Sequence, residues 1–376
     1  MNVGSFSKLA LACVIACAAG TISCSKDEPA APAPAPDGGD VTPVTYDFSA
    51  MRDVLFGGAW KTEGVVVMRD GKIVFEQYAA GYDENKRHIA YSVSKSVGSA
   101  LVGIAIADGL LKLEDSVCKT MPAPAGADPA LCDTTIEHAV RMSSGLKWAE
   151  EYENDPTESN VLRMLYGDEA DMGEYVALQP RDAPAGQRWQ YSSGDSNLLA
   201  RALRGALGGK DMRAWAKEKL FDPAGMKSPF FEVDRSGTLL FSSACYMSTR
   251  DMAKFGQLYL DDGMAGATRV LPSSWVTYTH TPAPPVAQPR PNAGSYGAAF
   301  WLNAASPTAT ADTFSYSAGP VDMYMAEGHW GQKIFIIPSR KMIIARVGND
   351  RTPIFDPNPM IEKAILADDM AHKGGN

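Results

Sequence analysis

The pattern of apolar and polar residues predicts β-strands at both ends of the chain and helices in its middle. Near the start, "EGVVVMRDGKIVFEQYAAG" carries two β-rich runs around Arg69-Asp70-Gly71-Lys72, which predicts a hairpin. The chain closes with "DPNPMIEKAILADDMAHK", which predicts a helix with Pro359 near its start. Before it, from about residue 295, four runs predict successive antiparallel strands: "SYGAAFWLNA", "DMYMAEG", "QKIFIIPSR" and "KMIIARVGND".

The intervening segments show apolar residues at three- and four-residue spacing, which predicts helices, the longest over about residues 94–111. This order predicts an α+β fold. We expect an antiparallel sheet built from the N- and C-terminal segments and flanked by helices, with an inserted, mostly helical lobe. A cleft between the two lobes would be a natural place for a site. The expected bounds are about 46–112 and 285–376 for the α/β lobe and about 113–284 for the helical lobe.

The first residues predict a targeting segment rather than part of the fold. The stretch "MNVGSFSKLALACVIACAAGTISC" has one lysine, an apolar run and small residues, which indicates a secretory signal over 1–24. Because it ends at Cys24 and a polar tether follows, it resembles a bacterial lipoprotein signal with Cys24 lipidated. Lipidation at Cys17 and plain secretion without an anchor are the alternatives. Residues 25–45 are rich in Ala and Pro and predict a semi-extended linker. We therefore expect an exported protein, periplasmic or tethered to a membrane, with its folded domain over 46–376.

Composition excludes some partners and allows one covalent link. The formal charge of -9 disfavours a nucleic-acid partner, because phosphate binding requires a basic face. The loop between Cys118 and Cys132 is rich in Pro, Ala and Gly, and an oxidising compartment would permit a disulfide there, leaving Cys245 free. Three unpaired thiols are the alternative. The five histidines show no metal-binding spacing, so we expect no metal and no cofactor.

A serine and a lysine three residues apart form a candidate nucleophile and base. Of the four such pairs, only Ser92 and Lys95 precede a long helical pattern, so that the amine would lie one turn from the serine oxygen. The helix N-terminus would also favour an oxyanion. The alternative is a serine that caps a surface helix. The four pairs are Ser5/Lys8, Ser23/Lys26, Ser92/Lys95 and Ser144/Lys147.

A phenol could complete this set. Tyr191 in "QRWQYSSGDSNLLAR" stands before a turn-like segment and a helix. There it could pass a proton between Ser92 and a leaving group, because a serine hydroxyl is a weak nucleophile that needs proton transfer. Simple packing is the alternative for an isolated tyrosine.

Five stretches together resemble the serine β-lactamase and penicillin-binding superfamily. They are "YSVSKS", "MSSGLKWAEEY", "PAGQRWQYSSGDSNLLARAL", "STRDMAKFGQLYLDDG" and "GHWGQKIFIIPSRKMII", and they span roughly residues 50 to 370. The resemblance is to the class C-like branch and is strongest to the 6-aminohexanoate-dimer hydrolase and family VIII-type esterase group. It implies a β-lactamase/transpeptidase-like fold. It also implies that Ser92 is acylated while Lys95 and Tyr191 share the general-base and general-acid work.

The resemblance implies further site residues. The backbone N–H groups of Ser92 and His329 would form the oxyanion hole. We expect the His329 imidazole to line the cleft wall, because the alternative, a Ser-His-Asp triad, would require a G-x-S-x-G elbow that the sequence lacks. The substrate cleft would be lined by Gly328, Trp330, Tyr152 and Trp148, although interlobe packing is the alternative for the last two. An acidic cluster could attract an amine-bearing substrate or belong to a solvated loop: Glu150, Glu151, Glu153 and Asp155.

Two departures from the superfamily pattern narrow the expected activity. Ser193 stands where β-lactamases carry the asparagine of Tyr-x-Asn, and Ala326-Glu327-Gly328 replaces their Lys-Thr-Gly. We therefore expect a serine hydrolase that cleaves an ester or amide bond in a small molecule. A β-lactamase or D-Ala-D-Ala carboxypeptidase is an alternative. A non-catalytic exported domain that binds peptides or peptidoglycan is another.

Overall fold

A computed structural model describes residues 44–152, 157–288, 293–304 and 314–373. The predicted signal over 1–24, the candidate lipidation sites and nearly all of the linker lie outside these residues. Two members of the acidic cluster, Glu153 and Asp155, also lie outside them. No helix in the described ranges is long and apolar enough to cross a membrane.

The largest sheet has six antiparallel strands in the order β2-β1-β11-β10-β9-β8. It is built from segments near both ends of the chain, which confirms the predicted α+β fold. A second, three-stranded sheet has the order β3-β5-β4. The strands are β1 (Thr62–Arg69), β2 (Lys72–Tyr78), β3 (His88–Ile89), β4 (Phe230–Phe231), β5 (Cys245–Met247), β6 (Met264–Ala265), β7 (Thr268–Arg269), β8 (Trp301–Leu302), β9 (Tyr324–Gly328), β10 (Gln332–Ile337) and β11 (Met342–Gly348).

Helices cover the sheet and fill the rest of the fold. They are α1 (Ser49–Phe56), α2 (Val93–Ala107), α3 (Ile136–Val140), α4 (Asn160–Tyr166), α5 (Met172–Ala177), α6 (Ser193–Ala206), α7 (Met212–Ala216), α8 (Thr249–Leu260), α9 (Ser273–Thr279) and α10 (Asn358–Lys373). Most of them are short, and those in the middle of the chain include the segments where the three- and four-residue spacing predicts helices.

The hairpin of β1 and β2 forms where the turn residues predict it. Asp70 and Gly71 have φ angles of 49° and 74°, and two consecutive left-handed residues favour the twist of antiparallel strands. The strand predicted from "SYGAAFWLNA" is shorter than expected. It is reduced to β8 because Ala299 turns the backbone with a φ of 65° just before it.

Alternate residues of the large sheet face two different layers. Val65 and Val67 belong to the cluster that includes residues of α1 and α10, whereas Val66 belongs to the cluster that includes residues of α2 and α8. This alternation follows from the two-residue period of a strand. The sheet therefore has a helical layer on each face, with α2 between the sheet and the inserted lobe.

Helix α8 corrects the expected boundary of the helical lobe. It lies within 113–284 but packs on β1, β10 and β11, in the layer of the sheet. Gly256 allows this close approach, since a Cβ there would lie 2.8 Å from Ile334 and 2.9 Å from Ile343. Sequence periodicity gives the apolar face of a helix but not the surface that the face contacts.

Helix α2 is the buried centre of the fold. It ends at Ala107, before the predicted end near residue 111, and Gly109 with a φ of 72° turns the chain away. Two glycines make room for aromatic side chains. A Cβ on Gly98 would lie 2.5 Å from Phe241, and a Cβ on Gly103 would lie 2.4 Å from Trp275.

A covalent link closes one loop that follows α2. Cys118 and Cys132 form a disulfide with their Cα atoms 5.3 Å apart. Cys245 is a free, buried thiol. This is the pairing that the loop composition allows.

Candidate active site

The backbone at the start of α2 holds Ser92 in a constrained position. Tyr91 has a φ of 45°, which is uncommon for a bulky residue and is a strained conformation of the kind that clusters at functional sites. The Ala90 N–H donates to the Cys245 carbonyl at 2.8 Å, and the Cys245 N–H donates to Ser94 Oγ at 2.9 Å. Ser92 makes no side-chain capping bond, so its hydroxyl is available for chemistry. The alternative, a serine that caps a surface helix, is therefore wrong, because α2 is buried and the Ser92 side chain does not cap it.

Lys95 is buried directly behind the Ser92 hydroxyl. Its Nζ atom lies 3.0 Å from Ser92 Oγ, 3.0 Å from Ser193 Oγ and 2.8 Å from the Ser242 carbonyl oxygen. Burial lowers the pKa of the Lys95 amine to about 8, and the nearby Glu150 carboxylate partly opposes this shift. A substantial share of the amine is therefore neutral in mildly basic solution, as a general base requires.

Tyr191, just before α6, completes the predicted trio. The Lys95 amine lies 4.9 Å from the centre of its ring, and Trp301 stacks on it at 5.4 Å. The phenol interacts with the Ser92 hydroxyl, and this contact lowers the pKa of Tyr191. Burial, aided by the Glu150 charge, raises that pKa far more strongly, so the phenol stays protonated. The structure thus brings Ser92, Lys95 and Tyr191 together.

Glu150 is part of the site, although its sequence context predicts only membership of an acidic cluster. Its carboxylate is half-buried and accepts hydrogen bonds from Trp148 Nε1 at 2.6 Å and from the Tyr152 hydroxyl at 2.7 Å. It also accepts from the Ser193 N–H at 2.9 Å and from Ser193 Oγ at 2.6 Å. The two-residue spacing of 148, 150 and 152 is a signal that could have placed these side chains together on an extended segment.

The two aromatic residues expected to line the cleft have different places. Trp148 is buried, and a Cβ on Gly194 at the start of α6 would lie 2.8 Å from its ring. It is not among the residues that line the cavity at Ser92, and its neighbours Gly194, Tyr175 and Glu150 all belong to the helical segment 113–284, where it holds Glu150. Tyr152 does line the cavity, and its ring lies 5.2 Å from that of His329.

The turn after β9 brings His329 beside the nucleophile. A Cβ on Gly328 would lie 2.3 Å from the Ala90 carbonyl oxygen, so the two backbones are in direct contact. Trp330 has a φ of 57°, which reverses the chain into β10. The Gln332 side-chain amide donates to the His329 carbonyl at 3.1 Å and holds this turn. Gly328 therefore allows its own backbone and that of Ala90 to lie close together, and it does not line the cavity.

A buried ion pair supports the same turn from behind, and sequence reasoning missed it. Arg346 is fully buried and donates to the Gly331 carbonyl at 2.8 Å and to the Asp350 carboxylate at 2.6 Å. The Asp350 N–H in turn donates to the Trp330 carbonyl at 3.1 Å. Buried charges that are paired and fully hydrogen-bonded hold a fixed geometry. The turn is therefore anchored to β11.

A cavity of about 430 Å³ opens beside Ser92. Its walls are mainly aromatic and aliphatic, with Glu232 as the carboxylate and no lysine or arginine among the lining residues. Sites of this size and character accept small organic molecules. The lining residues are Ile89, Tyr91, Ser92, Tyr152, Leu162, Leu165, Tyr166, Glu232, Leu240, Ser243, Ala244, Tyr246, His329 and Trp330.

This arrangement defines a class of protein. A serine hydroxyl on the first turn of a buried helix, beside a buried lysine and a phenol at a small apolar cavity, is typical of enzymes with an active-site serine. Across the described ranges, no group of three or more His, Cys, Asp or Glu residues could bind a metal ion.

The comparisons with known proteins identify the family. A family model described as Beta-lactamase matches residues 55–369, so the chain belongs to the Beta-lactamase family, and this membership places it among the serine hydrolases. A 6-aminohexanoate-dimer hydrolase from Paenarthrobacter ureafaciens is 26% identical over 227 residues, which cover 57% of this chain and 56% of that protein. The chain thus matches only about half the length of this curated relative.

Two solved structures share the fold. A family VIII carboxylesterase superposes with a TM-score of 0.65 at 15% identity, covering 87% of this chain and 99% of that one. A penicillin-binding protein homologue from Caulobacter crescentus superposes with a TM-score of 0.64 at 17% identity, with the same coverage of 87% and 99%. At such low identities the likeness establishes the fold alone.

Proposed function

We propose that this protein hydrolyses an ester or amide bond in a small molecule through an acyl-enzyme on Ser92. The observation that carries the proposal is the placement of the Lys95 amine beside the two other groups: it lies 3.0 Å from Ser92 Oγ and 4.9 Å from the centre of the Tyr191 ring, and the phenol interacts with the same serine. A non-catalytic binding domain has no use for a buried lysine with a lowered pKa beside a serine.

In this mechanism neutral Lys95 takes the Ser92 proton as Oγ bonds to the substrate carbonyl carbon. The backbone N–H groups of Ser92 and His329 stabilise the resulting oxyanion, and each such donor can contribute on the order of 3 kcal/mol. The tetrahedral intermediate then collapses and the bond from the carbonyl carbon to the leaving group breaks, while Tyr191 relays the proton held by Lys95 to the departing alcohol or amine. Water hydrolyses the acyl group by the reverse transfers, which restores the free enzyme.

The surroundings favour substrates whose acyl group is apolar and carries no carboxylate. The cavity walls are aromatic and aliphatic, and Glu232 would repel an anion. The segment at 326–328 offers no cation either. Its Glu327 instead pairs with Lys333 at 2.8 Å and accepts from the Tyr316 hydroxyl at 2.6 Å. These contacts disfavour the β-lactamase and D-Ala-D-Ala carboxypeptidase alternatives, whose substrates carry a carboxylate.

Hydrolysis of p-nitrophenyl acetate and p-nitrophenyl butyrate, together with labelling by a fluorophosphonate probe, tests the proposal. We expect turnover and labelling in the wild type, loss of both in Ser92→Ala, and neither loss in Ser274→Ala, an exposed serine on α9. Absence of labelling and turnover in the wild type would favour the binding-domain alternative. Rapid nitrocefin hydrolysis would favour the β-lactamase alternative.

Export and membrane tethering are part of the same proposal and rest on the N-terminal sequence. The signal-like segment and Cys24 would place the enzyme in the periplasm or on a membrane as a lipoprotein. Metabolic labelling with a palmitate analogue tests this in the full chain. Labelling lost in Cys24→Ala and kept in Cys17→Ala supports the assignment, whereas equal labelling of both variants contradicts it.

A further inference from the structure

The Ser193 hydroxyl joins Glu150 to Lys95, and this connection goes beyond the serine, lysine and tyrosine of the proposed mechanism. We propose that Glu150 is a positioning residue: it accepts the hydrogen bond of the Ser193 hydroxyl, leaves Ser193 as an acceptor for Lys95, and thereby directs the lone pair of the neutral amine at Ser92. The inference rests on the proposed function, because it assigns a device that prepares Lys95 as the base.

The direction of the hydrogen bonds at Ser193 follows from its neighbours. A hydroxyl has a single proton to donate. Glu150 Oε1 lies 2.6 Å from Ser193 Oγ, and an ionised carboxylate can only accept. The proton is therefore directed at Glu150 in this short, charge-assisted bond. Towards Lys95, 3.0 Å away, Ser193 presents a lone pair.

The two N–H groups of the neutral Lys95 amine are then fully used. One is donated to Ser193 Oγ, and the other is donated to the Ser242 carbonyl oxygen at 2.8 Å. A carbonyl oxygen cannot donate a proton in return. The remaining position of the nitrogen is its lone pair, and the remaining neighbour is Ser92 Oγ at 3.0 Å. The amine is thus oriented to receive the Ser92 proton.

Without the carboxylate, Ser193 could point its own O–H at the Lys95 lone pair and compete with Ser92. Glu150 prevents this only if it keeps its orientation. Three further donors fix it: Trp148 Nε1 and the Ser193 N–H on Oε2, and the Tyr152 hydroxyl on Oε1. Every group around the carboxylate donates to it, so an amide in its place would set a donor against a donor.

The charge of Glu150 has a second effect, on the pKa of Lys95, which can be measured separately from the effect on kcat. Among the described residues, the titratable groups that act on the Lys95 amine are the Glu150 carboxyl and the Tyr191 phenol. Tyr152, Asp195 and Glu327 each interact with one of these two groups, and His329 packs on Tyr152. Of these, Glu150 raises the pKa of Lys95 against the effect of burial. Neutralising it should therefore lower the pH at which the base becomes active while weakening catalysis.

The experiment compares Glu150→Gln with the wild type in p-nitrophenyl butyrate hydrolysis from about pH 6 to pH 10, the range around the titration of Lys95. We expect kcat to fall by about tenfold or more with KM changed by less than about threefold, since the lost function is proton transfer. The midpoint of the rise in activity should move to lower pH. The midpoint reports the loss of the Glu150 charge, and the fall in kcat at nearly unchanged KM reports the lost orientation of the Lys95 amine.

Ser193→Ala supplies the second arm. Introduced alone into the wild-type protein, Ser193→Ala should lower kcat, because the acceptor for one Lys95 N–H is lost. In the Glu150→Gln protein, Ser193→Ala should lower kcat only slightly further, because both substitutions interrupt the same hydrogen-bond connection to Lys95. Full additivity of the two losses would overturn the inference. If Glu150→Gln fails to fold, an unchanged kcat in Ser193→Ala, which retains the carboxylate, would overturn it as well.

The controls separate this inference from the proposed function. Glu174→Gln makes the same charge change on the exposed side of α5 and should match the wild type in kcat and midpoint. A wild-type kcat and pH midpoint in Glu150→Gln, with Ser92→Ala inactive, would refute the role of Glu150 and leave the acyl-enzyme mechanism standing. An active Ser92→Ala would refute the mechanism itself.

Discussion

The Lys95 amine lies 3.0 Å from Ser92 Oγ, with the lysine side chain only 3% exposed. One helical turn separates the two residues, and this spacing places their side chains on the same face. A charged amine is costly to bury, so its environment favours the neutral form. The relationship thus links a three-residue sequence spacing to the protonation state that the chemistry needs.

The first prediction is that kcat/KM rises with pH as Lys95 loses its proton. Burial lowers the pKa of this amine to about 8, and the neutral form is the base. Activity should therefore be low at acidic pH, increase through about pH 8 and level off above it. Initial rates with p-nitrophenyl butyrate measure this, with substrate stability checked at each pH. A profile that falls across this range would contradict a lysine base.

The second prediction concerns Tyr191→Phe. Removing the phenol O–H while keeping the ring should lower kcat by roughly a hundredfold to ten-thousandfold, the usual contribution of a proton-transfer group. The stacking on Trp301 at 5.4 Å remains, so the melting temperature should change little. Lys95→Ala should lower kcat over the same range, because the base itself is lost.

Tyr259→Phe is the matched control for the second prediction. The Tyr259 hydroxyl is buried and has no hydrogen-bond partner among the described residues, so its removal should leave kcat unchanged. A normal kcat in Tyr191→Phe would refute the assigned relay, and a loss in both variants would indicate a general disturbance of the core.

The third prediction separates the backbone of His329 from its side chain. His329→Ala should cost less than about tenfold in kcat, because the mechanism uses the backbone N–H rather than the imidazole. Gly328→Ala should cost about a hundredfold or more, as the loss of one oxyanion donor does. Its Cβ would lie 2.3 Å from the Ala90 carbonyl oxygen and would push the turn away from Ser92.

Binding of a boronic acid, which forms a tetrahedral adduct with the serine, should weaken in Gly328→Ala and persist in His329→Ala. The reverse order of losses would assign the imidazole a chemical role.

Much of this structure could be predicted from local sequence. The alternation in β1, the Asp70-Gly71 turn and the helical spacing after Ser92 each use residues close together in the chain. The order of the motifs then indicated Tyr191 as the partner of Ser92. These features are encoded in periodicity and in the conformational preferences of single residues.

The missed features depend on contacts between distant residues. Glu150 meets Ser193 across 43 positions, and its two-residue spacing from Trp148 and Tyr152 is the local signal that sets it apart from the neighbouring acidic residues. Arg346 and Asp350 look like surface charges until the turn after β9 closes over them. Sequence patterns indicate which residues face inward. The residue that pairs with a buried charge and offsets its desolvation is brought to it by tertiary contacts, which local patterns do not show.

The fourth prediction is a pH dependence of stability caused by Asp195. Its carboxyl is buried at the start of α6, and burial raises its pKa to about 7 even though the Ser144 hydroxyl and N–H, at 2.7 and 3.2 Å, lower it. The folded state therefore holds a proton that the unfolded state releases near its ordinary value of about 4. The stability that this proton provides is complete below about pH 4 and is lost as pH rises through about 7.

Urea unfolding of Asp195→Asn and the wild type at several pH values measures this effect. The asparagine can still bond Ser144 but does not titrate, so its free energy of unfolding should change less between about pH 4 and pH 7. The difference between the two proteins should grow over this window to on the order of a few kcal/mol. Parallel curves for the two proteins would show that Asp195 is ionised throughout.

The fifth prediction concerns the disulfide between Cys118 and Cys132, which are 14 residues apart. Closing a loop of this length restricts the unfolded chain and stabilises the fold by about 3 kcal/mol in the chain-entropy model. The double variant Cys118→Ala/Cys132→Ala should lose stability of that order in urea unfolding, and reduction with a thiol should lower the wild type to nearly the same value. The active site lies on other elements, so kcat should be unchanged. If the double variant matches the oxidised wild type in stability, the disulfide does not form in the folded protein. The loop after α2 would then be held by its noncovalent contacts, such as the hydrogen bond from the Ser116 hydroxyl to the Cys132 carbonyl oxygen at 2.7 Å.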